Sequence, residues 1–325
     1  MAEMTYRHAV ARAIAQEMER DPRVYFFGED VAAAGGVFKT TEGLLERFGP
    51  NRVIDTPISE QAITGAAMGA AMNGLRPILE IMFSDFLAVC WDLVANQIAK
   101  TRYMTDGQVT LPLVIRTANG GGARFGAQHS QSVENWAMAI PGLKVVAPST
   151  PRDVIGLLAA AVRDDDPVVF FEQKSLYATK QDVPDGEIVD ELGVARVARR
   201  GGDVTIVALA AMVPRALAAA ELLAADGIDA EVIDLRSLVP LDVTTVLESV
   251  AGTSRLVTVE ENPRLCGWGG ELTSIVTEEA FYDLDAPTLR ITTPHIPLPS
   301  ADTLEDLAMP SAERIAARVG ELVRA

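Results

Sequence analysis

The sequence predicts a two-domain α/β protein whose mainly parallel sheets are covered by helices on both faces. Three observations carry that prediction. Short apolar runs rich in Val, Ile and Phe alternate with stretches of helical period along nearly the whole chain. The alternation breaks once, at the polar stretch "KQDVPDGEIVDELG" (180–193), which contains Pro and Gly and lacks helical periodicity. The 325 residues are also enough for two domains that each bury a core.

The elements follow in order. "YRHAVARAIAQEMER" (6–20) spaces its apolar residues as a helix does, and "VYFFGED" (24–30) is an apolar run ending in turn chemistry. Then come "TTEGLLERFG" as helix, "VIDTP" as strand, "DTPISEQAITGAAMGAAMNG" (55–74) as mostly helix, "RPILEIM" as strand, "FLAVCWDLVANQIAKTRYM" (86–104) as one helix and "LPLVIRT" as strand. In "STPRDVIGLLAAAVRDDDPVVFFE" (149–172), Thr150 is placed to cap, Pro151 suits the first helical turn and Asp153 completes a capping box before the next strand. The second alternation runs from "DVTIVAL" through "PRALAAAELLAADG", "IDAEVIDL", "LDVTTVLESV", "RLVTVEE" and "GGELTSIVTEEAF" to "TLRITT". The domains are therefore expected at 1–185 and 201–325, with a linker at 186–200.

Charge and composition narrow the function. With 28 Lys plus Arg against 45 Asp plus Glu, a net charge of -17, the chain lacks the phosphate-neutralising surface that nucleic-acid binding needs, and a basic protein partner suits it better. Cys90 and Cys266 lie far apart in apolar company, as reduced buried thiols do. The N-terminus has no basic start followed by an apolar stretch, and no apolar segment approaches the roughly 20 residues of a membrane span. A soluble cytoplasmic chain is the expectation.

Four constellations are candidates for chemistry. Glu60 stands with Asp55 as the only charge in residues 55–74; Ser59 is the expected N-cap, and Gly65 and Gly69 leave a smooth stripe for another helix. Either Glu60 is a first-turn carboxylate in water, favoured by the helix dipole, or it is buried and needs a specific partner. "GAQHSQS" (126–132) follows the run "NGGG" and sets His129 among polar residues in a loop, as a titrating group or merely an exposed one. In "AAAVRDDDP" (159–167), Asp164 and Asp166 beside a helix C-terminus form a cation site or a solvated turn. Phe83 and Phe86 in "FSDF" offer an aromatic face or core packing.

With those residues laid out, the chain resembles the β subunits of thiamine-diphosphate-dependent 2-oxo acid dehydrogenases, of the pyruvate, branched-chain and acetoin type. "FGEDVA", "DTPISEQ", "GLRPILEIMF", "GAQHSQS", "PGLKVVAPSTPRD", "VRDDDPVVFFE", "DLRSLVPLD" and "TTPHIPLP" carry the resemblance across nearly the whole chain. It implies a pyrimidine-binding thiamine diphosphate domain followed by a smaller transketolase C-terminal-like domain.

By the same resemblance, Glu60 hydrogen-bonds the N1′ nitrogen of the aminopyrimidine, with Gly65, Ala66 and Gly69 matching the family spacing, and so promotes the proton removal that makes the thiazolium ylid. Phe86 stacks on the pyrimidine, with Ile58 and Met82 lining the pocket. His129 faces the substrate, for proton transfer and charge stabilisation. Leu113, Ala161, Asp164 and Asp166 hold a structural potassium ion, largely through backbone carbonyls. The resemblance further implies an α2β2 assembly with an α subunit that holds Mg2+, decarboxylation of a 2-oxo acid or cleavage of acetoin, and acyl transfer to lipoyl-lysine on an acyltransferase core.

Two departures bear on this. Many relatives carry a histidine where "WAMAIPGLKVV" has Ala139, and the Gly-Asp-Gly motif with its later Asn, which binds magnesium and diphosphate, is absent from the chain. The second absence implies half a site, completed by the α subunit. A split transketolase-type enzyme and a non-catalytic scaffold subunit are the alternatives; the first should show a basic phosphate-sugar site, which the sequence does not display.

Overall fold

In the computed structural model, which describes residues 2–325, the chain opens with β1 (Ala2–Thr5), α1 (Tyr6–Arg20), β2 (Val24–Gly28), α2 (Leu44–Phe48), β3 (Val53–Asp55), α3 (Glu60–Met72) and β4 (Arg76–Phe83). A helical stretch follows, α4 (Leu87–Asp92), a π-helical turn (Leu93–Ile98) and α5 (Ala99–Met104), and then β5 (Val114–Asn119), α6 (Glu134–Met138), β6 (Lys144–Val146), α7 (Pro151–Arg163), β7 (Val168–Gln173) and β8 (Lys180–Val183). The remainder comprises β9 (Arg196–Arg199), β10 (Val204–Ala208), α8 (Met212–Ala225), β11 (Ala230–Asp234), β12 (Ser237–Val239), α9 (Val243–Thr253), β13 (Leu256–Pro263), α10 (Trp268–Glu279), β14 (Leu289–Thr293), α11 (Asp302–Ala308) and α12 (Ala312–Arg324).

Contacts divide the chain into two units: residues up to 119 together with 136–192, and 120–135 together with 193–325. In the first, parallel strands run in the order β6-β7-β5-β4-β2-β3. Every residue of β5 and β7 is buried, which is why those strands read as apolar runs without alternation. Helix α1 packs along α7. The cap of α7 forms as expected: Thr150 Oγ1 accepts from Asp153 N and donates to the Asp153 carboxylate at 2.7 Å, with Pro151 in the first turn.

In the second unit the order is β14-β13-β10-β11-β9, parallel except for β9, which runs antiparallel to β11. Helix α12 packs on α8. Among the described residues, no helix is long and apolar enough to cross a membrane.

Several local expectations need correction. Residues 186–200, read as linker, end in β9, whose "RVAR" lies at a sheet edge where charge is tolerated. The polar "KQDV" pairs antiparallel with β1, an interaction of residues 180–183 with 2–5 that no local pattern announces. The single helix expected over 86–104 bends at Cys90 (φ −113°, ψ 15°) and passes through the π-helical turn. Cys90 is buried as expected, but Cys266 is exposed.

Candidate active site

Parallel sheets of this kind bind ligands beyond the C-terminal ends of their strands. In the first unit β2 ends at Gly28, opposite Glu80 of β4, and a Cβ there would lie 2.9 Å from the Glu80 carbonyl oxygen. Only glycine allows that approach. The chain then places Glu29, 6% exposed, directly after the strand. The following loop is tied down by Asp55 at the end of β3, whose carboxylate accepts from Ala32 N at 2.6 Å and Ala33 N at 3.1 Å.

Glu60 begins α3 and is 8% exposed, so the solvated first-turn reading fails. Its carboxylate accepts no hydrogen bond among the described residues, and no cation pairs with it. Burial, and after it the charge on Glu60, raise the pKa of Glu29, while a hydrogen bond from the Ser59 backbone opposes the rise. Two carboxylates thus share a largely dry corner with no counter-charge, an arrangement that asks for a ligand with a hydrogen-bonding nitrogen. Ser59 occupies the N-cap position, but its side chain makes no capping bond, contrary to expectation.

Phe86 ends the short 3-10 turn Ser84–Phe86 beyond β4 and sits edge-on to Phe83, centroids 5.6 Å apart. Phe83 in turn meets Phe38 at 5.5 Å and Phe38 meets Tyr177 at 5.2 Å, so the Phe86 ring is held by an aromatic row running into the core. Met82 is half-buried on β4, whereas Ile58 is 84% exposed and stands away from the rest of this chain. Gly65 faces Leu93, and a Cβ on Gly69 would meet nothing within 4 Å, so that end of the glycine stripe is open.

His129 belongs to the second unit. Its loop is held from within that unit: Glu261 accepts from Gly121 N at 2.5 Å and from Ser132 Oγ at 2.9 Å, and Asn262 Nδ2 donates to Ser132 O at 2.8 Å. Gly122 N and Arg124 donate to the buried Glu305, at 2.9 and 2.7 Å. His129 N closes a turn onto Gly126 O, and the side chain is half-buried. The anchoring residues Glu261, Asn262 and Glu305 went unnoticed in the sequence; the carboxylate-rich end of the apolar strand "RLVTVEEN" was the one signal for Glu261 and Asn262, and Glu305 had none.

At the C-terminus of α7, Arg76 donates to Val162 O at 2.9 Å and to Asp164 O at 3.0 Å, Lys144 to the Asp164 carboxylate at 2.6 Å, and Arg102 to the Asp166 carboxylate. Side-chain cations therefore already meet these carboxylates. The oxygens left for a potassium ion are mainly backbone carbonyls, Leu113 O keeping a second lone pair beside its bond from Val168 N.

One buried network was not anticipated. Arg116 on β5, 1% exposed, bonds Glu172 of β7 through Nε (2.6 Å) and Nη2 (2.9 Å) and Glu80 of β4 through Nη1 (2.8 Å), and Tyr177 donates to Glu172 at 3.1 Å. Burial raises the Glu80 pKa more than Arg116 lowers it. Burial alone would lower the Arg116 pKa, but the charges of Glu172 and Glu80 reverse this and hold it charged.

The comparisons with known proteins fit this arrangement. Residues 2–180 match the family "Transketolase, pyrimidine binding domain" and residues 193–315 match "Transketolase, C-terminal domain". The chain is 48% identical to the β subunit of acetoin:2,6-dichlorophenolindophenol oxidoreductase of Cupriavidus necator, covering 97% of this chain and 96% of that one. It belongs to the family of pyruvate and acetoin dehydrogenase β subunits. Another member, the mitochondrial pyruvate dehydrogenase E1 component subunit beta-1 of Arabidopsis thaliana, is 48% identical over 96% of this chain and 87% of its own. Among solved structures, a split-gene transketolase, titled an inactive beta4 tetramer, superposes with a TM-score of 0.82 at 25% identity, covering 99% of this chain and 98% of that one. The family's transketolase-type fold is thus two α/β domains in series, as the sequence predicted.

Proposed function

We propose that the chain is the β subunit of an α2β2 decarboxylating component that uses thiamine diphosphate, shared with an α subunit holding Mg2+, to act on pyruvate, a branched-chain 2-oxo acid or acetoin. The acyl group passes to lipoyl-lysine of an acyltransferase core. The observation that carries this reading is Glu60: a buried carboxylate at the head of α3 with no hydrogen-bond or ion-pair partner among the described residues, in a domain of the pyrimidine-binding family.

When bound, the cofactor supplies the electron sink for cleaving a bond next to a carbonyl. The chain's residues do the rest. Glu60 holds a proton at the ring nitrogen of the aminopyrimidine, and burial keeps water from competing for that bond. Phe86 offers its ring to the pyrimidine, and Met82 and the exposed Ile58 complete the lining when the partner is in place. His129 moves a proton on the substrate side and stabilises charge there. A structural potassium ion belongs to the carbonyls of Leu113 and Ala161, with Asp164 and Asp166.

Need for a partner is supported by the open Gly69 face and by exposed apolar residues of the first unit, Ile58 (84%), Tyr103 (89%) and Met104 (63%). The split-gene transketolase that superposes on the chain is titled an inactive beta4 tetramer, which accords with a chain that needs an α partner.

The test is reduction of an artificial electron acceptor by the chain co-purified with its α partner, with pyruvate, branched-chain 2-oxo acids and acetoin in turn. Thiamine-diphosphate-dependent turnover with one of them is expected; a stable, cofactor-loaded complex inert towards all would favour the scaffold reading.

A further inference from the structure

The chain carries 45 acidic residues against 28 Lys plus Arg, yet one depression in the second unit is basic. A cavity of about 810 Å³ opens between the ends of β13 and β14 and the first turns of α12, lined by Arg264, Arg290, Arg314, Arg318 and His295, with no carboxylate among its lining residues. Its volume is that of a small-molecule site, of the order of 300–1,000 Å³.

The charges in it are not all compensated. Arg290 pairs with the buried Glu260 at 2.9 Å, and Arg318 with Glu321 at 3.4 Å in an exposed pair of little strength. The Arg314 guanidinium donates only to carbonyls, Ala308 O at 3.3 Å and Thr292 O at 3.0 Å, and the Arg264 guanidinium only to Arg290 O at 3.4 Å. Two guanidinium groups therefore face the cavity without a carboxylate partner among the described residues. Such planar forks match phosphoryl oxygens bidentately. Beside them Leu265, 63% exposed, and Pro294 provide an apolar wall.

We propose that this cavity binds a phosphorylated small molecule of nucleotide size, its phosphoryl groups on Arg264 and Arg314 and its ring against Leu265 and Pro294. The residues that line the cavity all belong to the second unit, whereas Glu60 belongs to the first. Arg264 lies two residues beyond Asn262, whose amide donates to Ser132 O in the loop of His129 at 2.8 Å.

Calorimetric titration of the full chain, alone and with its α partner, tests this with ADP, pyrophosphate and adenosine as probes, first without thiamine diphosphate and then with it at saturation. The expected result is ADP binding that exceeds both other probes and weakens about tenfold or more in Arg264→Gln. Leu265→Glu, which sets an acid at an exposed position of the wall, weakens it as well without disturbing the fold. Absence of ADP binding at millimolar concentration, binding unchanged in both variants, binding abolished by thiamine diphosphate, or pyrophosphate or adenosine binding as tightly as ADP would each overturn the proposal.

Discussion

Burial, joined by the charge on Glu60, holds the carboxyl of Glu29 above the usual carboxylate range. The sign of its linkage follows. A carboxyl whose folded pKa is raised contributes stability below its unfolded pKa, near 4.5, and loses that contribution as pH rises through the folded value. Glu29→Gln should therefore gain in melting temperature relative to the parent as pH goes from about 4 to 8. A difference that stays constant over that range would show that Glu29 titrates normally.

Arg116 offers a sharper stability test. Arg116→Met leaves Glu80 and Glu172 buried without their cation and should destabilise the fold by about 3–5 kcal/mol in chemical denaturation. Adding Glu80→Gln and Glu172→Gln should recover much of the loss, because the remaining groups are then neutral. Additive losses across the three substitutions would contradict the network.

Two helix starts that look alike in sequence should respond differently. Thr150→Ala removes a capping bond and should cost about 1 kcal/mol, whereas Ser59→Ala, whose hydroxyl caps nothing, should change stability by only a few tenths. Equal losses would mean that Ser59 caps α3 after all.

The loop of His129 depends on Glu261. Glu261→Ala removes the acceptor for Gly121 N and Ser132 Oγ, so amide exchange at 121 and across 126–132 should speed up while β10 and β11 stay protected. Unchanged exchange in the loop would mean that other anchors suffice.

These residues also mark how far the sequence could be read. The α/β alternation was legible because buried parallel strands such as "VVFF" are apolar at every position and helices such as α7 carry their own caps. Glu60 stood out because almost nothing near it is charged. What stayed hidden depends on partners distant in sequence. Arg116 meets Glu80 and Glu172, 36 and 56 residues away, and Glu261 reaches 140 residues back to Gly121. The charged residues inside "RPILEIM", "LPLVIRT" and "VVFFE" were a visible sign of buried pairing, but nothing local says which pairs with which. β9 and the β1–β8 pair were missed because they are short, polar and at edges, where burial imposes no pattern.

The central claim is that Glu60 carries the cofactor's activating hydrogen bond, and the most direct measurement is kcat of Glu60→Gln beside the parent, both co-purified with the α partner, together with the affinity of each for thiamine diphosphate. The account predicts a fall in kcat of about 10²–10⁴-fold with the cofactor still bound. A variant that binds the cofactor and turns over at the parental rate would contradict it.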